Sequence, residues 1–297
     1  MSDSPVFEYE SAFSRNFGWV TRAEQQQLRN TRVAIAGLGG VGGFHLLTLA
    51  RLGIGRFSIA DFDTFDLVNF NRQAGAGMQS IGRQKSEVMM DMARDINPEI
   101  DFRVFAEGVQ AHNIDQFLAD VDIYIDGLDF FVFSARQMTF AACRERGIPA
   151  VTAAPLGMGT AVLSFLPGSM SFEDYFGFEG CTDDEKALRF LVGLAPKGLH
   201  RPYLVEPSSL SLAERRGPST NMACQICAGA AATEALKILL RRGEVRAAPW
   251  GFQFDAYRQR LVRTWRPGGH RNPLQRLLLA LGRIALKKQQ DAAPPGP

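Results

Sequence analysis

A doubly wound α/β fold, its sheet mainly parallel and its C-terminal extension carrying antiparallel strands, is predicted by this 297-residue sequence. Short apolar runs alternate with stretches of helical periodicity from residue 33 to residue 155. Strands joined through helices pair in parallel by right-handed crossovers. The first of these runs ends in a cluster of glycines that opens a helix, and beyond Pro167 the regular alternation stops.

Each element has its own signal. Residues 1–30 are polar, with a helix over Glu24–Arg29. VAIAG (33–37) is a short, partly β-branched apolar run and reads as a buried strand. Residues 42–53 repeat at helical spacing through Phe44, Leu47 and Ala50, and Gly53 stands where a glycine ends a helix. Strands follow at 56–63, 101–107, 121–129 and 149–155, with helices over Lys85–Ile96, stopped by Asn97-Pro98, and over 135–146. The chain thus divides into an N-terminal segment (1–30), the α/β domain (31–166) and an insertion or crossover (167–217) with a helix at 183–192. A C-terminal helix (222–240) and a strand over 251–265 make up 218–270, before a basic amphipathic helix (271–288) and a disordered tail (289–297).

Composition excludes several classes. With 46% hydrophobic and 22% charged residues and a net charge of +2, nothing global demands DNA or a membrane as a partner. The acidic, polar N-terminus is no secretory leader, so the cytoplasm is the expected compartment. No run approaches 18 uninterrupted apolar residues, which argues against a spanning helix. Four cysteines in so long a chain do not make a disulfide framework.

GLGGVGG (37–43) places Gly37, Gly39 and Gly42 in a GxGxxG pattern between strand and helix, with Gly40 between them. Such a turn aims helix N-terminal amides at a phosphate, and Asp61, at the end of the second strand, can accept from ribose hydroxyls. These residues do not choose between NAD and ATP. The polar stretch DFDTFDLVNFNRQ (61–73) and GRQKSE (82–87) do. An adenylating enzyme must neutralise a triphosphate while a carboxylate attacks it. Arg72 and Lys85 supply cations, Asn69 and Gln73 supply donors, and the acids of DGLD (126–129) could hold Mg²⁺. Asp126-Gly127 is also a turn signal, and Asp63 and Asp66 read as turn residues.

Together GLGGVGG, DFDTFDLVNFNRQ, the lysine of GRQKSE and DGLD resemble the ThiF/MoeB/HesA family, relatives of ubiquitin-activating enzymes, over residues 13–160. A weaker echo lies in EALKILL (234–240). The resemblance implies ATP with Mg²⁺: Asp61 on ribose, Asn69, Arg72 and Lys85 on phosphates, and Asp129 on the metal with Asp126 in support. Gly37, Gly39, Gly40, Gly42, Asp63 and Gln73 complete the nucleotide-binding set. FSRN (13–16) resembles the family's N-terminal arginine motif, which would make Arg15 a finger on the γ-phosphate of a neighbouring subunit and implies a homodimer.

The implied reaction is adenylation of a carboxylate, giving acyl-AMP and pyrophosphate. Its expected substrate is the C-terminus of a ubiquitin-like or sulfur-carrier protein, or a ribosomal peptide. The alternatives are dehydratase-type activation of a tRNA-linked carboxylate, a non-catalytic partner of an activating enzyme, and an NAD-dependent oxidoreductase. Many family members bind zinc through two CxxC pairs. Here only Cys224 and Cys227 form one, which cannot complete a tetrahedral site, so zinc is not expected. Cys181 is the candidate nucleophile, because relatives that pass a carrier to a thiol keep a cysteine in a comparable segment. Three adjacent acids oppose its ionisation, and a structural role is the favoured reading. Cys143 reads as core, and His200 as a surface residue of a candidate substrate loop. Helix 271–288 is expected to pack on its own domain or a dimer mate, with a membrane surface the second reading.

Overall fold

The computed structural model describes residues 6–210 and 215–292. In chain order the elements are α1 (Tyr9–Ala12), α2 (Arg22–Asn30), β1 (Arg32–Ala36), α3 (Gly42–Arg51), β2 (Arg56–Ala60), α4 (Lys85–Ile96), β3 (Asp101–Phe105), α5 (Ile114–Phe117) and β4 (Ile123–Asp126). They continue with α6 (Phe133–Glu145), β5 (Ala150–Leu156), β6 (Gly159–Phe165), α7 (Phe172–Phe176), α8 (Asp183–Leu194), α9 (Asn221–Leu239), β7 (Trp250–Asp255), β8 (Arg260–Trp265) and α10 (Pro273–Ala292). All eight strands join one sheet in the order β3-β2-β1-β4-β5-β6-β7-β8. The pairings from β3 to β5 are parallel, and β6, β7 and β8 add antiparallel. The doubly wound, mainly parallel sheet with an antiparallel C-terminal extension is therefore present.

Alternation along β1 divides the core. Val33 and Ile35 face a cluster with Leu46, Leu49, Phe57 and Met89, whereas Ala34 and Ala36 face the other side. The second cluster is aromatic: Phe140, Phe165, Phe172, Phe176 and Phe178 interlock above the sheet. On the first side α9 presents Cys227, Ala231 and Ala235, small enough to let it lie close against β5, β6 and α3. α9 has the length and apolarity of a membrane span, but half of it is buried inside the protein.

Several expectations are revised. The single strand over 251–265 is a hairpin: the alternation through Phe252, Phe254 and Tyr257 masks a turn at 256–259, where Gln259 adopts φ +50°. β6 was not anticipated, because Gly157 (φ +62°) folds the chain back immediately after β5. The inward face of α3 is His45, Leu46, Leu49 and Ala50, with Leu47 partly buried against the same core. Residues 289–292 continue α10 instead of being disordered, and 293–297 lie outside the described residues.

The strand order reverses between β1 and β4, so their C-terminal ends open a crevice where ligands of such sheets bind.

Candidate active site

Two kinds of glycine line that crevice. A Cβ on Gly37 would lie 2.3 Å from the carbonyl oxygen of Gly127, one on Gly42 would lie 1.8 Å from that of Gly37, and one on Gly127 would lie 2.4 Å from it. These three let the glycine turn, α3 and the end of β4 interlock, and Gly37 also needs its φ of +83°. Gly39 and Gly40 differ. A Cβ on Gly39 would come no nearer than 3.6 Å to the Gln73 amide, and one on Gly40 would meet Cys224 Sγ at 3.5 Å. Protein packing does not require glycine at either position. Both border a cavity of about 630 Å³, where a missing side chain lets a ligand approach the backbone.

The rest of the expected set converges here. Gly37, Gly39, Gly40, Asp61, Asp63, Asn69, Arg72, Gln73, Lys85, Asp126 and Asp129 all line this cavity. Buried Asp61 accepts from the Leu38 amide (2.6 Å) and the Asp63 amide (2.8 Å), tying the glycine turn to the end of β2. Burial raises the pKa of its carboxyl, and the two amides oppose that rise. Lys85 begins α4 with its side chain buried, and its Nζ donates to Asp63 Oδ2 at 3.0 Å. Asp63 is therefore more than a turn residue. Arg72 Nη1 donates to the Val68 carbonyl and to Asn71 Oδ1, holding the guanidinium at the wall. Asn69 Oδ1 caps its own turn by accepting from the Asp66 amide. Gln73 Oε1 is buried with no hydrogen-bond partner among the described residues, an orphan that a ligand would satisfy. Asp129 is exposed, and its Oδ1 accepts from the Phe131 amide at 3.0 Å.

Asp126 departs from the expected role. Its carboxylate is buried and accepts from Arg136 Nε (2.8 Å), Thr152 Oγ1 (2.9 Å), Tyr124 Oη (3.3 Å) and the Leu128 amide (3.3 Å). Four protein donors leave it little capacity for metal or nucleotide. Its partner Arg136 was missed from sequence. The guanidinium donates to the carbonyls of Leu128, Asp129, Phe130 and Val132 and lies 4.6 Å from the Phe190 ring centroid. One buried cation thus shapes the loop that carries Asp129. The available signal was an arginine on the inward stripe Phe133, Arg136, Phe140, Cys143 of α6, which demands a buried carboxylate.

Three candidates do not line the cavity. Gly42 is a packing residue of α3. Arg15 sits on an exposed turn (Ser14–Asn16) and does not line this chain's cavity. Cys181 is outside the cavity, half-buried, with Sγ donating to the Gly177 carbonyl at 3.4 Å. His200, expected at the surface, instead joins the cavity wall beside Gly157, its Nδ1 buried and unpartnered among the described residues. Burial lowers its pKa. Cys224 and Cys227 share the inward side of α9, with Cys224 reaching the cavity and burial raising the pKa of both thiols.

Known proteins resemble this chain in part. tRNA threonylcarbamoyladenosine dehydratase of Bacillus subtilis is 33% identical over 141 residues, 47% of this chain and 55% of that protein. The sulfur carrier protein ThiS adenylyltransferase of Escherichia coli is 32% identical over 143 residues, 48% of this chain and 56% of that one. The alignments thus span about half the length of these curated relatives. The crystal structure of E. coli MccB with ATP superposes with a TM-score of 0.63 at 19% identity, covering 89% of this chain and 72% of that one, which is a likeness of fold. The ThiF family profile matches residues 13–277, and the chain belongs to the ThiF family.

Proposed function

We propose that this chain is an ATP-dependent adenylyltransferase that joins AMP to a carboxylate. The observation that carries the reading is the convergence, in one cavity, of a glycine turn open to a ligand, buried Lys85, Arg72 and exposed Asp129. A carboxylate oxygen attacks the α-phosphorus, the bond to the bridging oxygen breaks, and pyrophosphate leaves with the electron pair. Such a step needs positioning and charge neutralisation more than a general base. Gly39 and Gly40 present backbone to the phosphates, while Arg72 and Lys85 neutralise the departing pyrophosphate. Lys85 exchanges Asp63 for a phosphate oxygen, and Asp61 orients the turn and the ribose. Asp129 would hold Mg²⁺, which supplies further neutralisation of phosphate charge. Asp126 and Arg136 fix the loop from beneath.

The substrate is proposed to be the C-terminal carboxylate of a ubiquitin-like or sulfur-carrier protein or of a ribosomal peptide. The dehydratase names among the relatives favour a tRNA-linked carboxylate as the second reading. We also propose a homodimer. Phe62, Leu67, Val68, Met78 and Ile81 are exposed on the segment that carries Asn69 and Arg72, an apolar surface that a second copy would cover. Arg15 of that copy would then approach the phosphates.

Titration calorimetry separates this reading from a dehydrogenase. ATP–Mg²⁺ should bind with NAD silent, and Arg72→Ala should weaken ATP by roughly tenfold or more, since charge-assisted bonds contribute about 1.5–3 kcal/mol each. NAD binding without ATP binding would sink the assignment.

A further inference from the structure

The C-terminal helix has a face that the fold leaves unused. α10 packs on α8 and on the turn Gly269–Arg271 with Leu279 and Gln275 buried, and a Cβ on Gly282 would come within 2.6 Å of Leu188. Arg283 reaches across to Glu185. Away from that contact Leu274, Leu277, Leu281 and Ile284 are 46%, 55%, 54% and 55% exposed, and their helical spacing sets them along one stripe. Four large aliphatic side chains in line on a soluble surface mark a contact site.

Charge identifies the occupant. From Asn272 to Gln290 the sequence carries Arg276, Arg283, Lys287 and Lys288 and no acid, with Arg283 taken up by Glu185 of α8. A second copy of the helix laid against this stripe would bring like charges together. α10 also has no Phe, Tyr or Trp, the anchors that specific protein contacts favour. By helical periodicity Arg276 falls on the flank between the packed face and the apolar stripe. An interfacial helix places its cations there, at headgroup level, when its apolar side enters the acyl region.

We propose that α10 docks this protein on an anionic lipid surface, with Leu274, Leu277, Leu281 and Ile284 inserted and Arg276 facing the headgroups. The full chain is sedimented with phosphatidylcholine vesicles, with or without about a third of phosphatidylserine. Binding is expected only to the anionic vesicles and should weaken with salt over the range that screens surface charge. Leu277→Glu/Leu281→Glu should lower it roughly tenfold or more, with ATP binding unchanged. Arg276→Glu, which leaves the stripe intact, should lower it several-fold. No binding to anionic vesicles, equal binding to neutral ones, or double-variant binding equal to wild type would each overturn the proposal. So would a drop from dimer to monomer in the double variant when the wild type ignores vesicles, since the stripe would then belong to a second copy.

Discussion

At the scale of single residues, glycine has two tasks within one turn, and substitution separates them. Alanine at Gly127 would put its Cβ 2.4 Å from the Gly37 carbonyl oxygen and 2.8 Å from Gly42 Cα, both backbone atoms that cannot swing away. Gly127→Ala should therefore destabilise the fold by about 1–3 kcal/mol, the usual cost of overpacking, visible as a lowered thermal midpoint. Gly39→Ala meets nothing closer than 3.6 Å. It should leave that midpoint nearly unchanged while weakening ATP in calorimetry; a Gly39→Ala protein that binds ATP normally would remove this residue from the phosphate cradle. Arg136 makes a different point. Lysine keeps the charge but cannot reproduce a planar fork that donates to Asp126 and to four carbonyls, so Arg136→Lys should still cost roughly 1–3 kcal/mol for buried acceptors left unsatisfied. Denaturant titration reads that cost, and a loss below 1 kcal/mol would show that lysine fills the site. The glycine pattern was legible in the sequence because its spacing is local. Arg136 was legible only as an arginine on the inward stripe of α6, because its partner Asp126 is brought to it only when α6 lies under the end of β4. His200 was misplaced for a similar reason: its neighbour Gly157 is far away in the chain.

At the scale of elements, β1 to β5 were legible because each is an apolar run bounded by a turn or helix signal. At β7 with β8 the apolar run continues through the tight turn and hides the reversal, whereas β6 follows β5 at once through Gly157 with no signal of its own. The inward side of α3 carries a residue whose burial has a measurable consequence. His45 on that side is fully buried with both ring nitrogens unpartnered among the described residues, and burial lowers its pKa to about 3. The folded protein thus keeps the imidazole neutral at pH values where the unfolded chain takes up a proton below the ordinary value of about 6.5. Its effect is absent above pH 6.5 and accumulates as a loss of stability as pH falls toward about 3, on the order of 5 kcal/mol in all. His45→Leu, similar in bulk and without the proton site, should flatten the stability profile across that window. Equal slopes for the two proteins in denaturant titrations at stepped pH would show that His45 becomes protonated without unfolding.

At the scale of the whole molecule, Arg72, Lys85, Arg136, Arg215 and Arg216 line the cavity at the glycine turn, yet Arg15 stands outside it. The segment carrying Asn69 and Arg72 meanwhile leaves Leu67, Val68, Met78 and Ile81 open to solvent. Both observations are answered together if two chains close on each other about a twofold axis, because an isologous contact repeats any exchange of residues in both sites. Subunit mixing tests this arrangement directly. Arg15→Ala and Arg72→Ala should each abolish acyl-AMP formation alone. In an equal mixture refolded or exchanged to equilibrium, half of the dimers are mixed. Each mixed dimer then has one site lacking both arginines and one site lacking neither, so about a quarter of wild-type activity should return. If Arg15 acted within its own chain, every site in the mixture would lack one arginine and no activity would return. A monomeric protein, seen by sedimentation at the assay concentration, would give the same silence.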